Sequence, residues 1–340
     1  MTSEEAERAH LPIADAHNDL LLACMHRKER GVADPFGDDW LPGLRVGGVV
    51  FQVLPIFTEE QFVGEAALRR TLEIIALAHE IADLHRADVA IVEHGSDIDP
   101  VIDSGRIALL LALEGAEPIG SSLAMFETMS RLGVRLASLT WNRRTMLADG
   151  TAEAGTGSRL SSLGIEAVAE MERLQMVLDV SHLSDAGVQH IAEVAVAPFV
   201  ATHSSCRALC RHARNLTDVQ IRTVAGSGGF VGINAFGPFV SETAPTLDDF
   251  IDHIAHAARV AGDDHVGIGA DFIDDLVRTV NPILGRQLLI DPDEISFIDV
   301  LKAPADFAGL SSRLVERFGV HRALRFASAN MVDFFRAAVI

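Results

Sequence analysis

Residues 13–19 read Ile-Ala-Asp-Ala-His-Asn-Asp, a short apolar run that ends in two side chains suited to metal binding, His17 and Asp19. Residues two apart in an extended strand point to the same face, so a strand here would aim both side chains at one point. Imidazole and carboxylate groups are common ligands of zinc-type cations. His-x-Asp alone is weak evidence, and it gains weight only if later strands carry similar residues at the same relative position.

The chain repeats one unit: a short run rich in Val, Ile and Leu, then polar residues, then an amphipathic helical pattern. Strands that are apolar on both faces and alternate with helices indicate a parallel sheet covered by helices, and eight such units indicate a closed barrel. We therefore predict one domain over residues 1–340, an α/β protein with the (β/α)8 TIM-type barrel fold. A doubly wound open sheet is the rival fold, but no Gly-x-Gly-x-x-Gly turn follows the first run. The eight predicted strands are 13–18, 48–56, 107–113, 135–140, 176–181, 198–202, 228–234 and 265–271.

Helices are expected between these strands and after the last one. The clearest patterns cover residues 59–85, 162–175 and 184–194, with further helices at about 292–314 and 321–338. A small extra strand at 89–92 is predicted before the third barrel strand.

Composition limits the partners. The 340 residues carry 48 acidic and 28 basic side chains, a formal net charge of −20, which argues against a nucleic-acid partner because phosphates would be repelled. No apolar span reaches the roughly 18 residues that a membrane helix needs. The acidic N-terminal residues do not resemble a secretory signal, so a cytoplasmic protein without a membrane partner is expected.

Four further residues of metal-binding type lie where later strands end: Glu114 at the third, His182 at the fifth, His203 at the sixth and Asp271 at the eighth. Functional groups of this barrel lie at the C-terminal ends of its strands, so these side chains should meet His17 and Asp19 at one mouth. Any one of them alone would more often be an ordinary core or surface residue.

A glutamate with two oxygens is able to bridge two cations that lie about 3.5–4 Å apart. Lys28 and Lys302 are the chain's two lysines and neither follows a predicted strand, so a carbamylated lysine is not expected and Glu114 is left as the bridge. The ligand types suit two zinc ions per chain, with Mn²⁺, Co²⁺ or Fe²⁺ as substitutes.

Five segments together resemble the signature motifs of one family. They are His17-Asn-Asp19-Leu, Leu113-Glu-Gly115, Asp179-Val-Ser-His182, Thr202-His-Ser204 and Arg214-Asn-Leu-Thr-Asp218. The set is similar to that of the membrane (renal) dipeptidase family, peptidase family M19, within the amidohydrolase superfamily. The similarity extends over nearly the whole chain, and it implies an amidohydrolase-like barrel.

The resemblance assigns the metal ligands. It implies that His17 and Asp19 hold one zinc ion, that His182 and His203 hold the other, and that Glu114 bridges the two. The reaction it implies is hydrolysis of small dipeptides by a hydroxide that bridges the metals.

The resemblance also implies that Arg214 grips the C-terminal carboxylate of the dipeptide. A guanidinium fits that role because its planar fork matches a carboxylate. Asp271 is implied to handle a proton of the attacking water or the substrate amino group, and a D-residue at the C-terminal position is implied to be tolerated. The expected assembly is a homodimer.

The chain departs from the mammalian members at Trp141-Asn142, where they carry a histidine that contacts the substrate. The Trp-Asn form resembles a bacterial branch, and both residues are expected to bind substrate. Trp141 is either a pocket wall or simple core packing. Arg143 and Arg144 either attract an acidic substrate side chain or form a solvated loop pair.

Two alternative functions stay open. Another amidohydrolase reaction, on an N-acyl amino acid, a lactone or a β-lactam-like amide, would use the same metals with a different pocket. A non-catalytic metal-bound barrel that serves as a binding protein is the second.

Overall fold

The computed structural model of the chain describes residues 11–281 and 295–339. Nine parallel strands form its sheet, and they are β1 Ile13–Asp15, β2 Val49–Phe57, β3 Val89–Ile91, β4 Ile107–Glu114, β5 Val134–Ser138, β6 Val177–Asp179, β7 Phe199–Val200, β8 Val231–Ile233 and β9 Val266–Ile268. Eight of them follow the order β7-β6-β5-β4-β2-β1-β9-β8, and β3 pairs with β4 outside this path. The extra strand predicted at 89–92 is therefore confirmed.

The barrel closes between its sixth and seventh strands. Ala201 forms a parallel bridge with Val231 just beyond the end of β7. Ala201 N–H donates to the Phe230 carbonyl at 3.0 Å, and Gly232 N–H donates to the Ala201 carbonyl at 2.8 Å. The predicted (β/α)8 barrel is confirmed, and the open-sheet rival is wrong because the strands return on themselves.

Helices cover the outside of the barrel. They are α1 Leu20–Glu29, α2 Leu41–Val46, α3 Glu65–Leu84, α4 Gly95–Asp103, α5 Ala124–Arg131, α6 Ser162–Arg173, α7 Asp185–Val194, α8 Asp218–Gly226, α9 Gly237–Val240, α10 Leu247–Ala261, α11 Phe307–Phe318, α12 Val320–Leu324 and α13 Asn330–Ala338. Ser161 and Ser184 cap α6 and α7 by accepting a backbone N–H with their side chains, as N-cap serines do. Within the described residues, no helix combines the length and apolar character needed to cross a membrane.

Two predicted helix starts are wrong. The helix predicted from residue 59 begins at Glu65, because residues 59–64 form the turn that leaves β2. The helix predicted from residue 292 begins at Phe307. Residues 295–303 are not helical, and Pro304 opens a short 3-10 turn before α11. Residues 292–294 of that prediction lie outside the described residues.

The alternation of side chains along β4 explains both the core and the site. Ile107, Leu109, Leu111 and Leu113 pack outward in the main core, whereas Ala108, Leu110 and Ala112 pack in a second cluster with residues of the other strands. Because side chains alternate with a period of two, Glu114 falls on the same inner face as Ala108, Leu110 and Ala112. The strand therefore ends by presenting a carboxylate at the barrel mouth.

The opposite end of the barrel is closed by apolar side chains. Phe335 of α13 lies 5.4 Å from the Phe51 ring and 5.8 Å from the Phe230 ring, measured between ring centroids, and all three are buried. Met331 and Val332 belong to the same cluster. This end of the barrel is therefore apolar, in contrast to the mouth where the strands end.

Candidate active site

The residues predicted for the site converge on the C-terminal mouth of the barrel. Glu114 is the last residue of β4, and His182, His203 and Asp271 each lie three residues beyond the end of their strand. One detail of the prediction is wrong: β1 ends at Asp15, so His17 and Asp19 lie in the turn to α1 rather than in an extended strand. Asp19 is the N-cap residue of that helix.

Glu114 lies at the centre of the group. Its Oε1 is 2.9 Å from His182 Nε2 and 3.8 Å from His203 Nε2, and its Oε2 is 3.5 Å from His17 Nε2. Asp19 Oδ2 lies 4.0 Å from the same His17 nitrogen. Oε1 of Glu114 thus faces His182 and His203, and Oε2 faces His17.

The donor atoms fit a divalent cation. His17 Nε2 is buried without a hydrogen-bond partner among the described residues, and its ring stacks on His203 at 3.6 Å. His182 Nε2 and His203 Nε2 lie 2.9 Å apart. Converging nitrogen and carboxylate donors with a buried orphan nitrogen form the kind of ligand set that zinc-type metals use.

Burial and neighbouring charges shift the pKa values of the three histidines in different directions. Desolvation and the neighbouring Arg214 charge lower the pKa of His182 to about 4, and burial also lowers the pKa of His203 well below its ordinary value. Burial also acts to lower the pKa of His17, but the Glu114 carboxylate outweighs it and raises that pKa to about 10. Neutral His182 and His203 are in the form that binds metals.

Asp271 is held in an unusual backbone conformation. Its φ is +56°, in the left-handed region that residues other than glycine rarely adopt. Its N–H donates to the His17 carbonyl at 2.9 Å, and Asn234 Nδ2 donates to its Oδ2 at 2.8 Å. His17, Asp19 and Asp271 bring ligand atoms within 4.8 Å of one another. This strain fixes the carboxylate at the mouth, as is common at functional sites.

Arg214 is a buried cation without a carboxylate bound to it in the described part of the chain. Its guanidinium donates to the carbonyl oxygens of Ser181 and His203 and lies over the Phe239 ring at 5.5 Å. The side chain is 5% exposed, and burial lowers its pKa to about 10. A buried guanidinium of this kind is suited to receive an anion from a ligand.

Apolar side chains wall the cavity above these groups. Trp141 packs against Phe57, with ring centroids 4.9 Å apart, and against His182 at 5.9 Å. Asn142 also lines the cavity, but its Oδ1 lies 3.0 Å from His182 Nδ1. The remaining apolar walls are Phe236, Phe239 and Ile273. Trp141 is therefore both a buried packing residue and part of the pocket wall.

The two arginines after the fourth strand are engaged by acidic neighbours. Arg143 Nε lies 3.1 Å from Glu60, and Arg144 makes a two-pronged pair with Asp149, at 2.5 and 2.8 Å. Their charges are already balanced, which disfavours the attraction of an acidic substrate side chain.

Sequence reasoning missed Asn234 and the aromatic walls. Asn234 lies at the end of the apolar run of the seventh strand, so the strand-end rule that found Glu114 also reaches it, but an amide is not among the imidazole and carboxylate ligands that mark a zinc-type site. Phe236 and Phe239 lie in the loop and short helix that follow, where no periodicity distinguishes a pocket wall from core packing.

Comparisons with known proteins agree with this geometry. A family model described as membrane dipeptidase (peptidase family M19) matches residues 2–291. Dipeptidase verJ of Clonostachys rogersoniana is 34% identical over 262 residues, which cover 72% of this chain and 67% of that protein. An uncharacterized dipeptidase of Schizosaccharomyces pombe is 32% identical over 287 residues, covering 77% of this chain and 69% of that protein.

Solved structures share the fold. The dipeptidase AC, a metallo-peptidase of family M19, superposes with a TM-score of 0.84 at 24% identity, over 97% of this chain and 99% of that one. A metallo-peptidase from Rhodobacter sphaeroides, liganded with a phosphinate mimic of the dipeptide L-Ala-D-Ala, gives 0.83 at 23% identity, over 96% and 98%. Since the family model covers most of the sequence, the chain belongs to the membrane dipeptidase family, peptidase family M19, and is a dipeptidase.

Proposed function

We propose that this enzyme hydrolyses small dipeptides with a free C-terminal carboxylate and that it does so with two zinc ions per chain. The observation that carries the proposal is the central carboxylate of Glu114, which directs Oε1 toward His182 and His203 and Oε2 toward His17. Such an arrangement suits a glutamate that bridges two cations. Mn²⁺, Co²⁺ or Fe²⁺ would also suit these ligands.

The ligands divide into two sets in this proposal. His17 and Asp19 hold one cation, and His182 and His203 hold the other, with Glu114 shared. When bound, the cations supply an acidified water as nucleophile and stabilise the charge that develops on the substrate carbonyl.

Two residues orient the dipeptide. Arg214 receives the C-terminal carboxylate, since it is a buried guanidinium bonded to carbonyl oxygens rather than to a carboxylate of the described chain. Asp271 takes up a proton of the attacking water or holds the substrate amino group, and its Asn234 partner keeps the carboxylate aimed into the cavity. Catalysis by Asp271 requires a fixed position within hydrogen-bond reach of the reacting atoms.

Trp141 and Asn142 border the substrate at the cavity wall. The C-terminal side chain of the substrate is proposed to lie toward the open side of the mouth, where a D-residue is tolerated. The apolar walls and the balanced charges of Arg143 and Arg144 favour neutral over acidic side chains there.

The chain is proposed to work as one domain in the cytoplasm. Its net charge of −20 disfavours nucleic acid, and a homodimer is the proposed assembly.

The test is a substrate panel run on zinc-reconstituted protein, with elemental analysis of the same sample. Hydrolysis of L-Ala-D-Ala and L-Ala-L-Ala, with about two zinc ions per chain, supports the proposal. Turnover confined to an N-acetyl amino acid, a lactone or a β-lactam would favour another amidohydrolase reaction. Zinc binding without turnover of any panel member would favour a binding barrel.

A further inference from the structure

The two histidines assigned to the second cation each have their other ring nitrogen bound to a fixed partner. In His203 this partner is Thr202, whose Oγ1 lies 2.8 Å from Nδ1. The same hydroxyl donates to the carboxylate of Asp179. A carboxylate accepts only, so the hydroxyl gives its proton to Asp179 and accepts the N–H of His203 with a lone pair.

Asp179 is itself held by four donors. Its Oδ1 accepts the backbone N–H of Ser181 at 2.9 Å and of Thr202 at 3.0 Å, together with the Ser181 hydroxyl at 2.6 Å. The fourth donor is the Thr202 hydroxyl. The side chain is buried, so these four donors fix the carboxylate in one orientation. The Thr202 hydroxyl that donates to it is thereby oriented as well.

His182 has a different partner. Its Nδ1 lies 3.0 Å from Asn142 Oδ1, and the Thr151 hydroxyl donates to the same oxygen at 3.0 Å. An amide oxygen accepts only, so His182 Nδ1 carries the proton. Nε2 of the same ring then carries the lone pair, which faces Arg214 Nη2 at 3.3 Å and a Glu114 carboxylate oxygen at 2.9 Å. A lone pair so close to a carboxylate fits a cation held between the two groups.

We propose that Thr202 and Asn142 are positioning residues that fix the tautomer of His203 and His182, so that both rings present the Nε2 lone pair to the metal. Asn142 then acts through a metal ligand, in addition to bordering the cavity. The inference rests on the proposed metal assignment. Partners of this kind orient metal-binding histidines, and their loss weakens metal affinity or activity by about 10–100-fold.

The test compares isosteric variants with variants that keep the acceptor. Thr202→Val and Asn142→Leu remove the partner, whereas Thr202→Ser and Asn142→Asp retain an oxygen. Thr140→Val is the matched control, because the Thr140 hydroxyl is equally buried but has no hydrogen-bond partner among residues 11–281 and 295–339.

Zinc affinity is measured by competition between the metal-free protein and a chromophoric chelator. Thr202→Val and Asn142→Leu are expected to bind Zn²⁺ about 10–100-fold more weakly than the wild type, while Thr202→Ser and Thr140→Val stay within about threefold. Asn142→Asp should bind Zn²⁺ at least as tightly as the wild type, because a carboxylate on Nδ1 makes His182 more basic. The melting temperature of each metal-free variant identifies any loss that comes from unfolding.

Histidine ¹⁵N spectra of the zinc-loaded protein at pH 8 give the second readout. The wild type should show protonated Nδ1 on His182 and His203, with Asn142→Leu changing the first alone and Thr202→Val the second alone. Wild-type rings protonated on Nε2, or zinc affinities of Thr202→Val and Asn142→Leu equal to that of Thr140→Val, would overturn the inference. Absence of dipeptidase activity in wild type would overturn the proposed function alone, since neither readout depends on turnover.

Discussion

Replacement of Arg214 by methionine should selectively weaken the hydrolysis of dipeptides that carry a free C-terminal carboxylate. Methionine keeps the apolar stem over Phe239 and removes the charge. Burial lowers the pKa of Arg214 from its ordinary value to about 10. At about 1.4 kcal/mol per pKa unit, the charged form is penalised by about 3 kcal/mol at neutral pH.

A bound substrate carboxylate would recover part of that penalty. A hydrogen bond to a charged group is worth about 1.5–3 kcal/mol, which corresponds to about 10–150-fold in kcat/KM. We expect a loss in this range for Arg214→Met on L-Ala-D-Ala. The matching dipeptide amide, which lacks the charge, should lose less than about threefold.

Steady-state kinetics on the acid and amide pair provide the assay, and Arg143→Met is the matched control. Arg143 also lies near the mouth, but it already pairs with Glu60, so Arg143→Met should change kcat/KM little on either the acid or the amide. Stability gives a second check. Since Arg214 carries a burial penalty, metal-free Arg214→Met should be no less stable than the wild type in urea. Equal losses on the acid and the amide would refute the carboxylate role.

Three further predictions follow from the described contacts. Glu114→Gln should reduce bound zinc below two ions per chain and lower the rate, and wild-type metal content and turnover would contradict the bridge. Arg143→Ala should leave the ranking of D-Asp, D-Glu and D-Ala dipeptides unchanged from low to high salt, and an acidic preference that this variant abolishes would contradict the observed pairing. Hydrogen bonds from His26 and Arg70 outweigh burial and lower the pKa of Glu59 from 4.5 to about 2, so Glu59→Gln should lose about 3 kcal/mol of unfolding free energy at pH 7. This stabilisation is present above pH 4.5 and is lost as pH falls toward 2, so urea denaturation curves of the two proteins should converge there, and a constant difference would refute it.

The fold and the main site residues were accessible from the sequence because they depend on local rules. A parallel barrel strand is apolar on both faces and turns polar where it reaches the mouth, so the end of each apolar run marks the site. Glu114 illustrates this: it lies an even number of residues after Ala108 on the same strand, so both side chains point inward. The strand before His17 and Asp19 ends at Asp15, but both residues still lie at the mouth because they form the turn from β1 to α1.

The partners of the site residues were not accessible in this way, because they come from segments whose conformations are set by packing. The family resemblance predicts that Asn142 binds substrate, but its Oδ1 lies 3.0 Å from His182 Nδ1 and accepts the Thr151 hydroxyl. That meeting requires the 142–156 segment to fold back, which it does through bonds such as Thr151 N–H to the His182 carbonyl at 3.0 Å. No periodic pattern in the sequence predicts that this segment folds back onto His182. A strand-end rule thus finds the groups that line the mouth, while the groups that hold them are found only once the loops are in place.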